Sequence, residues 1–89
     1  MVRLFVRHNV EDYQAWRKVY DAFDAERGQM GVTGDAVFQS IDNPNDVTVW
    51  HDFDTAEAAQ AFASSDQLGS AMQEAGVRGE PQVWFVTPS

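Results

Sequence analysis

Apolar residues recur at every second position from Val2 to His8, with Arg3 and Arg7 between them, a period and a length that predict a β-strand. Asn9 to Asp12 then supply cap-type and acidic residues. Tyr13, Trp16, Tyr20 and Phe23 follow at spacings of three, four and three, which is one stripe of an α-helix. The stripe is predicted to end near Arg27 and Gly28, a basic residue and a C-cap glycine, with Gly31 and Gly34 in a flexible connection. Ala36 to Ile41 and Val47 to Phe53 read as two further strands. The turn formers Asp42-Asn43-Pro44-Asn45-Asp46 between them predict a hairpin. Asp54 with Glu57 matches an acidic capping box, after which Ala58, Ala59 and Phe62 begin a second helical region. Ser64-Ser65-Asp66 interrupts it, Leu68, Ala71, Met72 and Ala75 resume it, and Gly76 stops it, so two short helices joined at a kink are expected. Pro81 opens a last strand from Gln82 to Thr87.

The order βαββαβ predicts an α+β, ferredoxin-like fold, a four-stranded antiparallel sheet with helices on one face. Parity then assigns the faces. Val2, Leu4, Val6, Val47, Val49, Phe53, Val83 and Phe85 are expected beneath Trp16, Tyr20, Phe23, Phe62 and Met72. The opposite face would carry Phe5, Trp50 and Trp84, with Val86 and Phe38, among Arg3, Arg7, Thr48 and Asp52. Each large aromatic buries about 150–250 Å² when covered, so this face exceeds the roughly 300–600 Å² patch that monomers tolerate. A homodimer packed sheet to sheet, with Arg3, Phe5, Arg7, Trp50 and Trp84 in the interface, is the economical cover, and Asp52 is a candidate partner for the arginines. A one-residue register error in the faces is the alternative.

Composition narrows the partners. Residues 1–89 are too few for a second module, and a core of this size is thin, with no cysteine to cross-link it. Fourteen acidic against six basic residues give a net charge of −8, which argues against nucleic acid or an anionic membrane as partner. The longest apolar runs, Leu4-Phe5-Val6 and Val83-Trp84-Phe85-Val86, fall far short of the roughly 20 residues that span a bilayer. Arg3 and Arg7 interrupt the amino-terminal apolar stretch, so no signal peptide is expected and the cytoplasm is the expected location.

Three segments resemble a known superfamily: Val10-Glu11-Asp12-Tyr13-Gln14-Ala15-Trp16, Phe53-Asp54-Thr55-Ala56-Glu57-Ala58 and Ser65-Asp66-Gln67-Leu68. With the element order, they are similar to the dimeric α/β-barrel superfamily, and within it to small antibiotic-biosynthesis-monooxygenase-like proteins. The resemblance implies a homodimer of ferredoxin-like protomers, each with an apolar pocket for a hydrophobic, often aromatic, small molecule. Members include cofactor-independent oxygenases, polyketide cyclases, isomerases and haem-degrading enzymes. The pocket tryptophan of the haem-degrading members falls on Phe53 and their iron-ligating histidine on Met72; the tyrosine and histidine of a plant polyketide cyclase fall near Phe62 and Leu68. These apolar replacements would preserve a pocket and remove those two chemistries.

His8 and His51 are the only imidazoles, and parity points both to the helix-covered side. Either is a candidate general base toward an acidic phenol or enol. The plainer roles are a capping histidine at the end of the first strand and a hydrogen-bonded histidine in the core. Opposite Val47, His8 would lie several residues from His51, and no Cys, HxxxH or HExxH spacing supports zinc, so no metal is expected. Tyr13, Trp16 and Tyr20 share one helical face, either a stacking wall for a planar ligand or ordinary core, and Phe53, Phe62 and Met72 complete the expected substrate-binding set. Asp12 reads as a helix N-terminal carboxylate, and Asp21, Asp24 and Glu26 with Arg17, Lys18 and Arg27 as a solvated helix back. No dinucleotide or phosphate loop, nucleophile elbow or thiol is present, so dinucleotide, acyl-enzyme and thiolate chemistry lack residues and no cofactor is expected, with a loosely held flavin or haem the open alternative. Two functions fit: a cofactor-independent oxygenase or cyclase for an aromatic or polyketide-like molecule, and a non-catalytic homodimer that binds a hydrophobic ligand.

Overall fold

The computed structural model describes residues 1–89. Strand β1 (Val2–Val10) outruns its predicted end because Val10 keeps the parity of Leu4, Val6 and His8 and is buried with them. Asp12 caps α1 (Tyr13–Ala22), its carboxylate accepting from the Ala15 amide at 3.1 Å. The apolar stripe is not one helix. Phe23, at φ −85° and ψ 1°, breaks it, and α2 (Asp24–Gln29) continues beyond. Gly28 lies inside α2 rather than at its cap; the chain turns at Gly31, whose φ of 96° suits glycine alone without strain.

Strand β2 (Val32–Gln39) begins before Ala36, takes in Gly34 and stops short of Ile41. The cause is cross-strand pairing with β3 (Asp46–Phe53), where Val32 pairs with Phe53 and Gly34, after a register shift, with Asp52. Helix α3 (Ala56–Ala63) is capped by Thr55 and not Asp54: the Thr55 hydroxyl accepts from the Ala58 amide at 3.1 Å. The expected kink follows, with Ser65 capping α4 (Asp66–Glu74) through the Leu68 amide at 3.2 Å. Strand β4 (Val77–Val86) starts well before Pro81, which sits inside it beside the register shift between Arg7 and Asn9. An edge strand tolerates this loss of a donor.

The sheet order is β2-β3-β1-β4 with every neighbouring pair antiparallel. This is the expected ferredoxin-like arrangement with both helices divided. The pairs Leu4–His51, Val6–Val49 and His8–Val47 define the helix-covered face. One core cluster joins Leu4, Val6 and Phe53 to Ala59 and Phe62; the other joins Val10, Val47 and Val49 to Trp16 and Ala75. Val83 and Phe85 do not join either cluster as parity suggested. They share the face of Val6 and Leu4, their partners in the ladder, yet remain 45% and 42% exposed. The reason is lateral: α3 packs over β1 and β3, and α4, which meets β4, leaves Val83 and Phe85 partly uncovered.

The opposite face is as expected. Phe5 stacks on Trp84 at 5.2 Å, and the Arg3 guanidinium lies 3.7 Å from the centroid of Trp50 while binding Asp52 through two nitrogens, at 2.7 and 3.0 Å. Arg7 pairs with Asp46 rather than with Asp52. No helix of the protein is long and apolar enough to cross a membrane.

Candidate functional site

A cavity of about 50 Å³ lies between the β1–β3 centre of the sheet and the helices. Eleven of its fourteen lining residues are hydrophobic, and the other three are His8, His51 and Arg27. Trp16, Tyr20, Phe62 and Met72 form walls. Tyr13 and Phe53 stand behind them: Tyr13 stacks on Trp16 at 5.8 Å, and Phe53, fully buried, packs on Phe62 at 5.4 Å.

The strand register sets the histidines apart. His51 is opposite Leu4 and His8 opposite Val47, an offset of about 13 Å along the strands, with Val6 and Val49 between. His8 meets the edge of Trp16 at 5.7 Å; His51 lies 5.0 Å from Phe62 and 6.1 Å from Tyr20. Both rings are buried, and none of their four nitrogens has a hydrogen-bond partner. Neither is therefore the hydrogen-bonded core or capping histidine of the plainer readings. Burial pushes the His8 imidazolium down to about 4, against the pull of Asp46. His51 is likewise lowered to about 4, first by burial and then by Arg27. Near neutral pH each ring is uncharged, with one donor and one acceptor nitrogen free. No group of three or more His, Asp or Glu side chains is arranged to hold a metal ion.

Arg27 is the residue that sequence reasoning misplaced. Instead of belonging to a solvated helix back, it is only 4% exposed. Its guanidinium lies 3.8 Å from the Tyr20 ring centroid, and Nη1 donates to the Tyr20 carbonyl at 2.6 Å. The break at Phe23 puts that carbonyl in the last turn of α1, where it accepts from the Phe23 amide at 3.2 Å and takes Arg27 as a second donor. A signal was available: Arg27 follows Phe23 by four, continuing the three, four, three spacing of the stripe. Asp35 was missed for a related reason. Once β2 begins at Val32, Asp35 pairs with His51, and its carboxylate accepts the hydrogen bond of the Tyr20 hydroxyl. Burial, then this bond, raises the Tyr20 phenol, so it holds its proton and serves as a donor. Trp16 completes the wall by stacking on Tyr20 at 5.0 Å.

No protein-family model and no curated protein matches the chain. Solved structures do, over nearly the whole length. A protein of Bordetella bronchiseptica described provisionally as an antibiotic biosynthesis monooxygenase superposes with a TM-score of 0.85 at 16% identity, covering 99% of this chain and 96% of its own. SnoaB of Streptomyces nogalater, a cofactor-independent oxygenase, gives 0.81 at 12% identity, with coverage of 99% and 92%. A conserved protein of Methanosarcina mazei gives 0.78 at 15% identity, with coverage of 99% and 92%. The chain therefore has the fold of antibiotic-biosynthesis-monooxygenase-like structures, within the ferredoxin-like class. At such identities the likeness is one of fold.

Proposed function

We propose that the chain is a homodimeric, cytoplasmic pocket enzyme, a cofactor-independent oxygenase or cyclase for an aromatic or polyketide-like small molecule. The observation that carries this reading is the pair of neutral, buried imidazoles with every ring nitrogen unpaired, facing one apolar cavity. A ligand oxygen satisfies such a nitrogen, and the free acceptor takes a proton from an activated methylene or phenol. In the oxygenase form, the carbanion left by His8 or His51 reacts with dioxygen. The methylene becomes a carbonyl, one oxygen atom is retained, and the other leaves as water with the two hydrogens. In the cyclase form, the same carbanion attacks a carbonyl of its own chain. Trp16, Tyr20, Phe62 and Met72 hold the ring system away from water, with Tyr13 and Phe53 fixing those walls from behind.

The dimer reading rests on the helix-free face of the sheet. Phe5, Trp50 and Trp84, flanked by Arg3 and Arg7, make a surface that a second copy covers about a two-fold axis. β4 supports it, because Trp84 and Phe85 are exposed on opposite faces of one edge strand.

Two observations favour a second reading, a non-catalytic homodimer that binds a hydrophobic ligand. Imidazoles lowered to about 4 are weak bases at neutral pH, and the cavity is small beside the roughly 300–1,000 Å³ of ligand sites. The discriminating experiment is oxygen uptake with anthrone, together with quenching of tryptophan emission. The enzyme reading expects turnover that falls about 100-fold or more in His8→Ala or His51→Ala. Quenching without oxygen uptake in the wild type would leave the binding reading and remove the oxygenase.

A further inference from the structure

We propose that Arg27 is the anion-binding residue of the cavity, and that its ligand carries a carboxylate or a comparably acidic enol or phenol; this rests on the ligand-cavity reading above. Among the six basic residues Arg27 alone is buried. Two of its nitrogens are engaged, Nη1 with the Tyr20 carbonyl at 2.6 Å and Nη2 with Asp24 at 3.3 Å. Nε is buried without a partner, in a residue that lines the cavity.

The charge of this lining residue is balanced only weakly from outside. The Asp24 carboxylate is 82% exposed, so water screens its attraction, and it stands on the outer side of the guanidinium. Asp35 is occupied by the Tyr20 hydroxyl. A neutral ligand could meet the Nε–H but would add no charge to the screened Asp24 carboxylate and the Tyr20 ring that now balance the cation. An anionic oxygen answers both needs with one charge-assisted hydrogen bond. Neither imidazole competes for that anion as a cation near neutral pH, because each ring is neutral in its buried position. The rest of the lining is apolar, so the ligand is amphipathic: an acidic head at the α1–α2 break and a hydrophobic body along Trp16, Phe62 and Met72. His51, beside Tyr20, is the imidazole nearer that head, and His8 faces the far end of the body.

Paired titrations at pH 7.5 with benzoate and with benzamide, followed by ¹⁵N–¹H NMR, test this. The resonances read are the Arg27 Nε–H and the Trp16 indole N–H. Benzoate is expected to shift both, and to bind at least tenfold more tightly than benzamide. In Arg27→Gln the two affinities should converge; Arg27→Lys, which keeps the charge without the planar fork, should retain part of the preference. Should Arg27→Gln fail to fold, the wild-type comparison decides alone. Equal affinities in the wild type, with the Trp16 indole shifted by both compounds, would overturn the anion site and leave the ligand cavity standing. A benzoate preference that persists in Arg27→Gln would do the same. If neither compound moves the indole or the Nε–H, the cavity reading falls together with the inference.

Discussion

The Arg27 guanidinium closes the break in the first helical stripe by donating to the Tyr20 carbonyl at 2.6 Å while lying 3.8 Å from the centroid of the Tyr20 ring. One side chain thereby caps α1, supports a wall of the cavity and places the only buried cation of an acidic protein against it. The same carbonyl accepts from the Phe23 amide at 3.2 Å, so Arg27 adds a second donor to an acceptor at the open end of α1.

Replacing Arg27 by methionine keeps the stem and removes these contacts. The lost cation–π contact and charge-assisted hydrogen bond outweigh the relief of burying no charge, and Arg27→Met is expected to destabilise the fold by about 1–2 kcal/mol. Urea unfolding of the two chains measures the difference; an equal or higher midpoint for the variant would mean that Arg27 is kept for the cavity alone.

Stability should fall on mild acidification. Both histidines titrate near 6.5 when unfolded and at about 4 when folded, so the unfolded state binds more protons in between. Their contribution is complete above about pH 6.5 and is lost as pH falls toward 4, at most about 3 kcal/mol for each ring. Urea midpoints at pH 7.5, 5.5 and 4.5 trace the loss. His51→Leu should flatten it by about one proton, since no hydrogen bond of His51 is given up. The carboxylates held down by Arg3 and Arg7, Asp52 and Asp46, weaken the fold only below that window.

The face carrying Phe5 and Trp84 should set the assembly. Light scattering of the wild type is expected to give twice the 10.0 kDa chain mass, and Trp84→Glu to give a monomer that is still folded. Trp84 is 41% exposed in the single chain, so the substitution disturbs the protomer little. A monomeric wild type would mean that the aromatic face is open to solvent or to a different partner.

The cap of α3 can be located by a pair of substitutions. Thr55→Ala removes the acceptor of the Ala58 amide and should cost about 1 kcal/mol, whereas Asp54→Ala should cost a few tenths through the helix dipole alone. Reversed magnitudes in thermal unfolding would restore Asp54 as the cap.

Local pattern determined a good deal of this protein. The period of two along β1 and β3 assigned Leu4, Val6, His8, Val49 and His51 to one face and Phe5 and Trp50 to the other, because alternation is a property of the strand itself. The interruption at Ser64-Ser65-Asp66 and the stop at Gly76, φ 82°, were equally legible, since each involves only its own turn. What depended on distant neighbours was not. The true start of β2, and so the meeting of Asp35 with Tyr20, followed from pairing with β3. The exposure of Val83 and Phe85 followed from where the helices end sideways over the sheet, which no periodicity records. Arg27 shows the division within one residue. Its spacing continues that of the apolar stripe, but only the tertiary structure, which brings the Tyr20 carbonyl and ring to close range, made burial of its charge stable.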